Sequence, residues 1–143
     1  MALNKKTLLF LICLFSFNTL AFTQDETSEK VADRLRKLFV LSFSDNYKVA
    51  AKYIVYRGSD STRIWKDVYN FSKTDEKDAV IDVCTRIKNH LIEGGDYELT
   101  EFKTEEESEG KWYVWEVVFK NGNVKRYFAF LKIKGKFALG DID

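Results

Sequence analysis

The chain has 143 residues with 23 basic and 22 acidic side chains, a balance that argues against a nucleic-acid partner, since phosphate-backbone binding needs a basic surplus on one face. No proline, internal repeat or low-complexity linker divides it. The length suits one ordinary domain, and the aromatic-rich composition can fill its core.

In chain order the first feature is MALNKKTLLFLICLFSFNTLAFTQ. Lys5 and Lys6 precede an apolar run, and Thr19-Leu20-Ala21 supplies small residues for cleavage, so residues 1–21 read as a secretory signal peptide. A membrane anchor is the rival reading, but the run is shorter than the roughly 20 apolar residues a spanning helix needs. Cys13 sits mid-run without the flanking residues of a lipidated cysteine. Cleavage leaves Cys84 as the one cysteine, so no internal disulfide forms and stability rests on packing. It also leaves 22 acidic residues against 21 basic, and the location expected is periplasmic or secreted.

Residues 22–27 read as a polar tail, and one domain is expected over 28–143. Val31, Leu35, Leu38, Phe39 and Ser42 follow the helical period, with Ser28 placed to cap the first turn. Ser44-Asp45-Asn46 breaks this helix and starts another, in which Val49, Ala50, Tyr53 and Ile54 share a face. A short third helix is predicted over Thr62–Phe71. The clearest helix runs from Asp75 to Ile92, with Thr74 as cap, acidic residues in its first turn and a stripe of Val80, Val83, Cys84, Ile87 and Leu91.

After Gly94-Gly95 the period changes to two. Tyr97–Thr104, Lys111–Lys120, Val124–Ile133 and Lys136–Ile142 read as four strands of an antiparallel meander. Glu105 to Gly110 reads as a long acidic loop without the alternating ligands of a calcium site. Asn121-Gly122 and Lys134-Gly135 supply the other two turns. Helices first and meander after define an α+β fold, with N-terminal helices packed on a curved four-stranded sheet.

This order, closing on WYVWEVVFKNG and FAFLKIKGKFALGDID, resembles the nuclear-transport-factor-2-like superfamily, and in particular its small exported members. The resemblance spans Ser28 to Asp143 and implies a cystatin-like cone, in which helices and a strongly bent sheet enclose a pocket. It carries no diagnostic catalytic motif. The family layout also holds a short strand among the early helices, for which no segment stands out in the sequence.

Strand register then locates a site. With Asn121-Gly122 as the turn, Phe119 faces Val124, Val117 faces Arg126, Trp115 faces Phe128 and Tyr113 faces Phe130. With Lys134-Gly135 as the next, Phe130 faces Leu139, Phe128 faces Asp141 and Arg126 faces Asp143. One sheet face would thus run from Tyr113, Trp115 and Phe128 into a polar end of Arg126, Asp141 and Asp143, able to bind a small polar ligand or to place a carboxylate base beside aromatic rings. A cross-strand ion pair between Arg126 and Asp143, with Asp141 solvated, is the plainer alternative. Tyr53, Tyr56, Arg57 and Trp65 form a second candidate lining.

The opposite face carries Trp112, Val114, Tyr127, Leu131 and Ile142. Its apolar character, together with the sheet-to-sheet pairing that the resemblance implies, predicts a homodimer through this surface. The resemblance also makes His90 with Asp141 a conceivable acid/base pair, since catalytic members place such pairs in the cone. A cation at the helix C-terminus is the alternative role of His90. Cys84 belongs to the packed stripe, and Cys84 and His90 do not share a helix side, so neither a metal site nor a cofactor is expected. Asn70-Phe71-Ser72 fits a glycosylation sequon.

The leading functional expectation is an exported, non-enzymatic domain that binds a small molecule or a protein partner. The alternatives are a small isomerase or cyclase using Asp141 as base with Arg126 or a tyrosine polarising the substrate, and a structural accessory subunit of a cell-envelope complex. An open cone holding Asp141 would favour chemistry, and a cone plugged by Trp115 and Phe128 would favour an interaction module.

Overall fold

The computed structural model of the chain describes residues 26–143, so the signal peptide and the tail up to residue 25 lie outside the described residues. Helix α1 (26–43) already includes residues 26 and 27, which sequence had assigned to the tail. Its core stripe of Val31, Leu35, Leu38, Phe39 and Ser42 is buried as the helical period predicts. Ser28 lies inside this helix instead of capping it, and its carbonyl accepts the Trp115 indole N–H at 3.1 Å. Asp45 takes a positive φ of 57° in the break before α2 (Tyr47–Ala50), which tightens into a 3-10 turn at Ala51–Tyr53.

The helix expected over Thr62–Phe71 is absent; residues 61–66 form consecutive turns and a bend follows at 67. The apolar spacing there fits a helix, but the backbone finds other partners. Tyr56 N–H donates to Asp67 O at 2.8 Å, Trp65 N–H to Tyr56 O at 3.1 Å and Tyr69 N–H to Ile54 O at 3.1 Å. Trp65 itself adopts a φ of 63°, which no α-helix accommodates. The extended piece at Ile54–Val55 bridges in parallel to Leu139 and antiparallel to Val68, so a strand-like segment does lie between the early helices and extends the sheet past its last strand.

Helix α3 (Thr74–Gly94) is the longest described element. Its N-cap residue is Lys73 rather than Thr74, and Asp75 and Glu76 occupy its first turn, where the helix dipole favours negative charge. The strands β1 (Tyr97–Glu107), β2 (Gly110–Phe119), β3 (Val124–Ile133) and β4 (Lys136–Ile142) form an antiparallel meander in that order. β1 runs through the supposed acidic loop, because Glu105 pairs with Trp112 and Glu106 with Lys111, leaving a tight turn at Ser108-Glu109. At Lys134-Gly135 both residues have positive φ, 48° and 80°, the geometry of a two-residue hairpin whose twist matches the strands. The Asn121 connection is a short 3-10 turn, Asn121–Asn123, yet Phe119 still faces Val124.

The β2–β3 register is the predicted one throughout. The β3–β4 register is correct at Phe130 and Leu139 and then slips: Asp141 faces Ala129 and Ile142 faces Phe128. Gly140 is the extra residue of a bulge, and one inserted residue moves everything after it to the other face. A Cβ on Gly140 would lie 2.5 Å from the Trp112 ring, so the bulge and the glycine together let that indole lie across β4.

Helices and sheet enclose one core on the inner face, where Phe119, Phe128, Phe130 and Leu139 pack against Leu35, Leu38, Phe39, Val80 and Ile87. The slip brings Ile142 into this core rather than onto the outer face. The outer face has its own cluster, in which Trp112, Val114, Leu131 and Ala138 pack with Val55, Trp65 and Val68. Trp65 meets Trp112 edge-on at 5.6 Å. Within the single chain Trp112 is 9%, Val114 6% and Leu131 3% exposed, so the apolar surface that suggested a sheet-to-sheet dimer is already covered by the 55–68 segment.

Candidate functional site

The aromatic wall predicted to line a cone pocket is packed solid. Phe128 is fully buried and meets Phe39 of α1 edge-on at 5.2 Å. Tyr113 packs on Phe137 at 4.9 Å and Trp115 on Phe102 at 5.2 Å, while the Trp115 indole is anchored to α1. Asp141, expected beside Phe128, is turned away from it by the bulge. Its carboxylate lies 3.3 Å from Arg57 Nη1, and the same nitrogen donates to Gly140 O at 3.1 Å. The Arg57 guanidinium stacks over Trp65 at 4.7 Å. Structure thus joins Arg57, Trp65 and Asp141, drawn from both predicted groups, into one self-paired cluster at the β4 edge.

Tyr56 and Tyr53 go elsewhere. Tyr56 is buried, accepts the Asp60 N–H at 3.1 Å and lies under the Arg63 guanidinium at 4.1 Å. Tyr53 is half-buried with Arg34 over its ring at 4.9 Å. Beneath them lies a charged cluster that the sequence reading missed. Arg63 contacts Glu76 at 2.5 Å and Asp67 at 2.9 Å, and Glu76, only 2% exposed, also accepts the Asn70 N–H at 2.6 Å. Burial alone would raise the Glu76 carboxyl, but hydrogen bonds from Arg63 and Asn70 outweigh it and hold the group below its ordinary range. Asp67 follows the same pattern: burial is overcome by Arg63, Lys134 and the Val68 N–H, and the carboxyl falls to about 2. This cluster clamps the 55–68 segment to the start of α3. In sequence, Glu76 looked like an ordinary first-turn acid, and nothing local announces its partner thirteen residues back.

At the other end of α3 the helix and sheet part. Arg86, Asn89, His90 and Glu93 lie at helical spacing on one stripe of α3 and face Arg126, Ile142 and Asp143 across a cleft of about 520 Å³. Arg126 and Asp143 line the same cleft, but not as the cross-strand pair expected: the slip sets Asp143 opposite Tyr127 instead of Arg126, while His90 lies beside them and Asp141 outside. Arg126 sits on the inner face opposite Val117; Asp143 arrives by main-chain bonds to Tyr127 at 2.8 and 3.0 Å. Arg86 Nη2 donates to Ile142 O at 3.3 Å and Arg126 Nη1 to Lys125 O at 3.0 Å, so main-chain carbonyls hold both guanidinium heads. His90 stacks on Phe119 at 6.0 Å. Burial, then Arg126 and Arg86, push its pKa below the ordinary value, with Glu93 opposing. The imidazole is thus neutral at neutral pH. Arg86, Asn89 and Glu93 escaped the sequence reading because polar residues flanking an apolar stripe look like a solvated face; their i, i+3, i+7 spacing was the available signal.

Cys84 lies in the core, where burial pushes its thiol up, the Ser42 hydroxyl partly opposing. Among the described residues no group of three His, Cys, Asp or Glu side chains is placed to hold a metal ion, and no helix is long and apolar enough to cross a membrane. Compared with known proteins, the chain matches no family model, no curated protein and no solved structure.

Proposed function

We propose that the chain is an exported, non-enzymatic binding domain of the nuclear-transport-factor-2-like kind, which meets its ligand in the rim cleft between α3 and the sheet. The order of helices, short extended segment and meander supports the family reading. The observation that carries the functional one is the contrast between a filled interior and a polar cleft of about 520 Å³ at its rim, within the size range of small-molecule sites. Two guanidiniums held by main-chain carbonyls and a neutral imidazole give that cleft fixed hydrogen-bond donors, and the Phe119 ring backs it. The carboxylate-base alternative requires Asp141 within the aromatic wall; its pairing with Arg57 outside that wall weighs against it.

A thermal-shift screen of small metabolites on the purified protein tests this reading, with Arg126→Ala as the companion variant. Compounds that raise the melting temperature of the parent but not of the variant are expected. Hits that stabilise both proteins equally would move the site elsewhere.

A further inference from the structure

The polar groups of the rim cleft divide by charge: Arg86 and Arg126 are cationic, Glu93 and Asp143 anionic, and Asn89 and His90 neutral. Some opposite charges elsewhere on α3 find each other, as Glu76 does Arg63 at 2.5 Å and Lys88 does Asp45 at 2.9 Å. In the cleft they do not. Among the described residues none of the four lies within 4.0 Å of an opposite charge, and the only hydrogen bonds of the two guanidiniums are those to the Ile142 and Lys125 carbonyls. Each arginine therefore keeps most of its five donors open, on a head tied by one main-chain hydrogen bond, which lowers the ordering cost of binding.

Resting on the reading that this cleft is the binding surface, we infer that its ligand is a small zwitterion of the amino-acid class. The ligand's carboxylate sits on Arg86 and Arg126, and its ammonium lies between Glu93 and Asp143. A guanidinium fork matches a carboxylate in plane and charge. A compact dianion such as phosphate gains the same arginines but meets two carboxylates, and a simple cation meets two guanidiniums. Like-charge juxtaposition disfavours both, and only a ligand with both signs satisfies all four groups. Asn89 and the uncharged His90 add hydrogen bonds without tilting the balance of charge.

The test is isothermal titration calorimetry on the purified protein with each of the twenty L-amino acids, and then with the deaminated acid and decarboxylated amine of the tightest binder, and with inorganic phosphate. One amino acid should bind at one per chain, with its acid and its amine each at least about ten-fold weaker, the worth of one ion pair of about 1.4 kcal/mol. Glu93→Gln and Asp143→Asn should weaken the amino acid while leaving the deaminated acid unchanged or tighter, in proteins whose melting curves match the parent. Phosphate or the deaminated acid binding as tightly as the amino acid, and losing affinity in Arg126→Ala, would overturn the zwitterion while keeping the cleft as the site. Absence of heat with every amino acid also overturns it. If the metabolite screen then yields no Arg126-dependent compound, the cleft itself falls as the binding surface.

Discussion

The two ends of α3 use the same residue types to opposite effect. At its start, Arg63, Asp67 and Glu76 are shielded and close to contact, and every charge is neutralised by a neighbour or by a main-chain N–H. At its end, Arg86, Glu93, Arg126 and Asp143 line an open cleft and stay apart. The first arrangement is a clamp, since an unpaired buried charge is costly and a paired one fixes a loop where it lies. The second leaves charge available to a visitor. Charged residues alone do not mark a site; the distance between opposite signs does.

The largest way to break this contrast is to unpair the clamp. Glu76→Ala should leave the half-buried Arg63 and the Asn70 N–H without their shared partner and cost about 3 kcal/mol, read by urea unfolding; a loss below about 1 kcal/mol would mean that the clamp is ornamental. The same carboxylates set the acid limit. Their folded-state values are depressed, so their contribution is complete above their ordinary range and is lost as pH falls, for Asp67 down through about 2. Next in size, Gly140→Ala should drive a methyl group into the Trp112 ring and cost about 1–3 kcal/mol as overpacking, with a change in tryptophan fluorescence; unchanged stability and emission would show that the indole is not confined there.

At the open end, Arg126→Ala should change stability by no more than about 0.5 kcal/mol, as for a half-exposed side chain outside the core, while removing ligand binding. A large destabilisation would make that end a clamp as well. The smallest effect is a step in pH. Because the His90 pKa is lowered in the fold, the unfolded chain takes up its proton first. Stability should therefore decline as pH falls through the ordinary value of 6.5 and level off below the folded value. His90→Gln should flatten that step in unfolding curves taken between neutral and mildly acid pH.

The sequence carried the meander well where turn chemistry and alternation act together: Lys134-Gly135 closes the predicted hairpin, and the Trp115–Phe128 pairing lies in the expected register. It failed where a distant partner decides. The turns and bend at 61–67 replace a helix because Ile54–Tyr56 supplies their hydrogen bonds, and the slip after Leu139 accompanies a Trp112 ring brought in from β2. Of the candidate site, Arg126 was legible from the β2–β3 register and His90 from its place on the helix, whereas Asp143 was placed by a register that the Gly140 bulge overturns. Arg86, Asn89 and Glu93 were not, because a solvated helix face and a cleft wall have the same composition until the sheet is set opposite.

The bulge at Gly140 makes the C-terminal end of β4 sensitive to parity. Deleting that one glycine would exchange the places of an aspartate and an isoleucine, sending Asp141 toward the Phe128 layer and Ile142 to the outer face. A change of length by a single residue would thus reverse the polarity of the strand end without altering any side chain. Relatives that differ in length at this point should carry their acidic and aliphatic residues in swapped order.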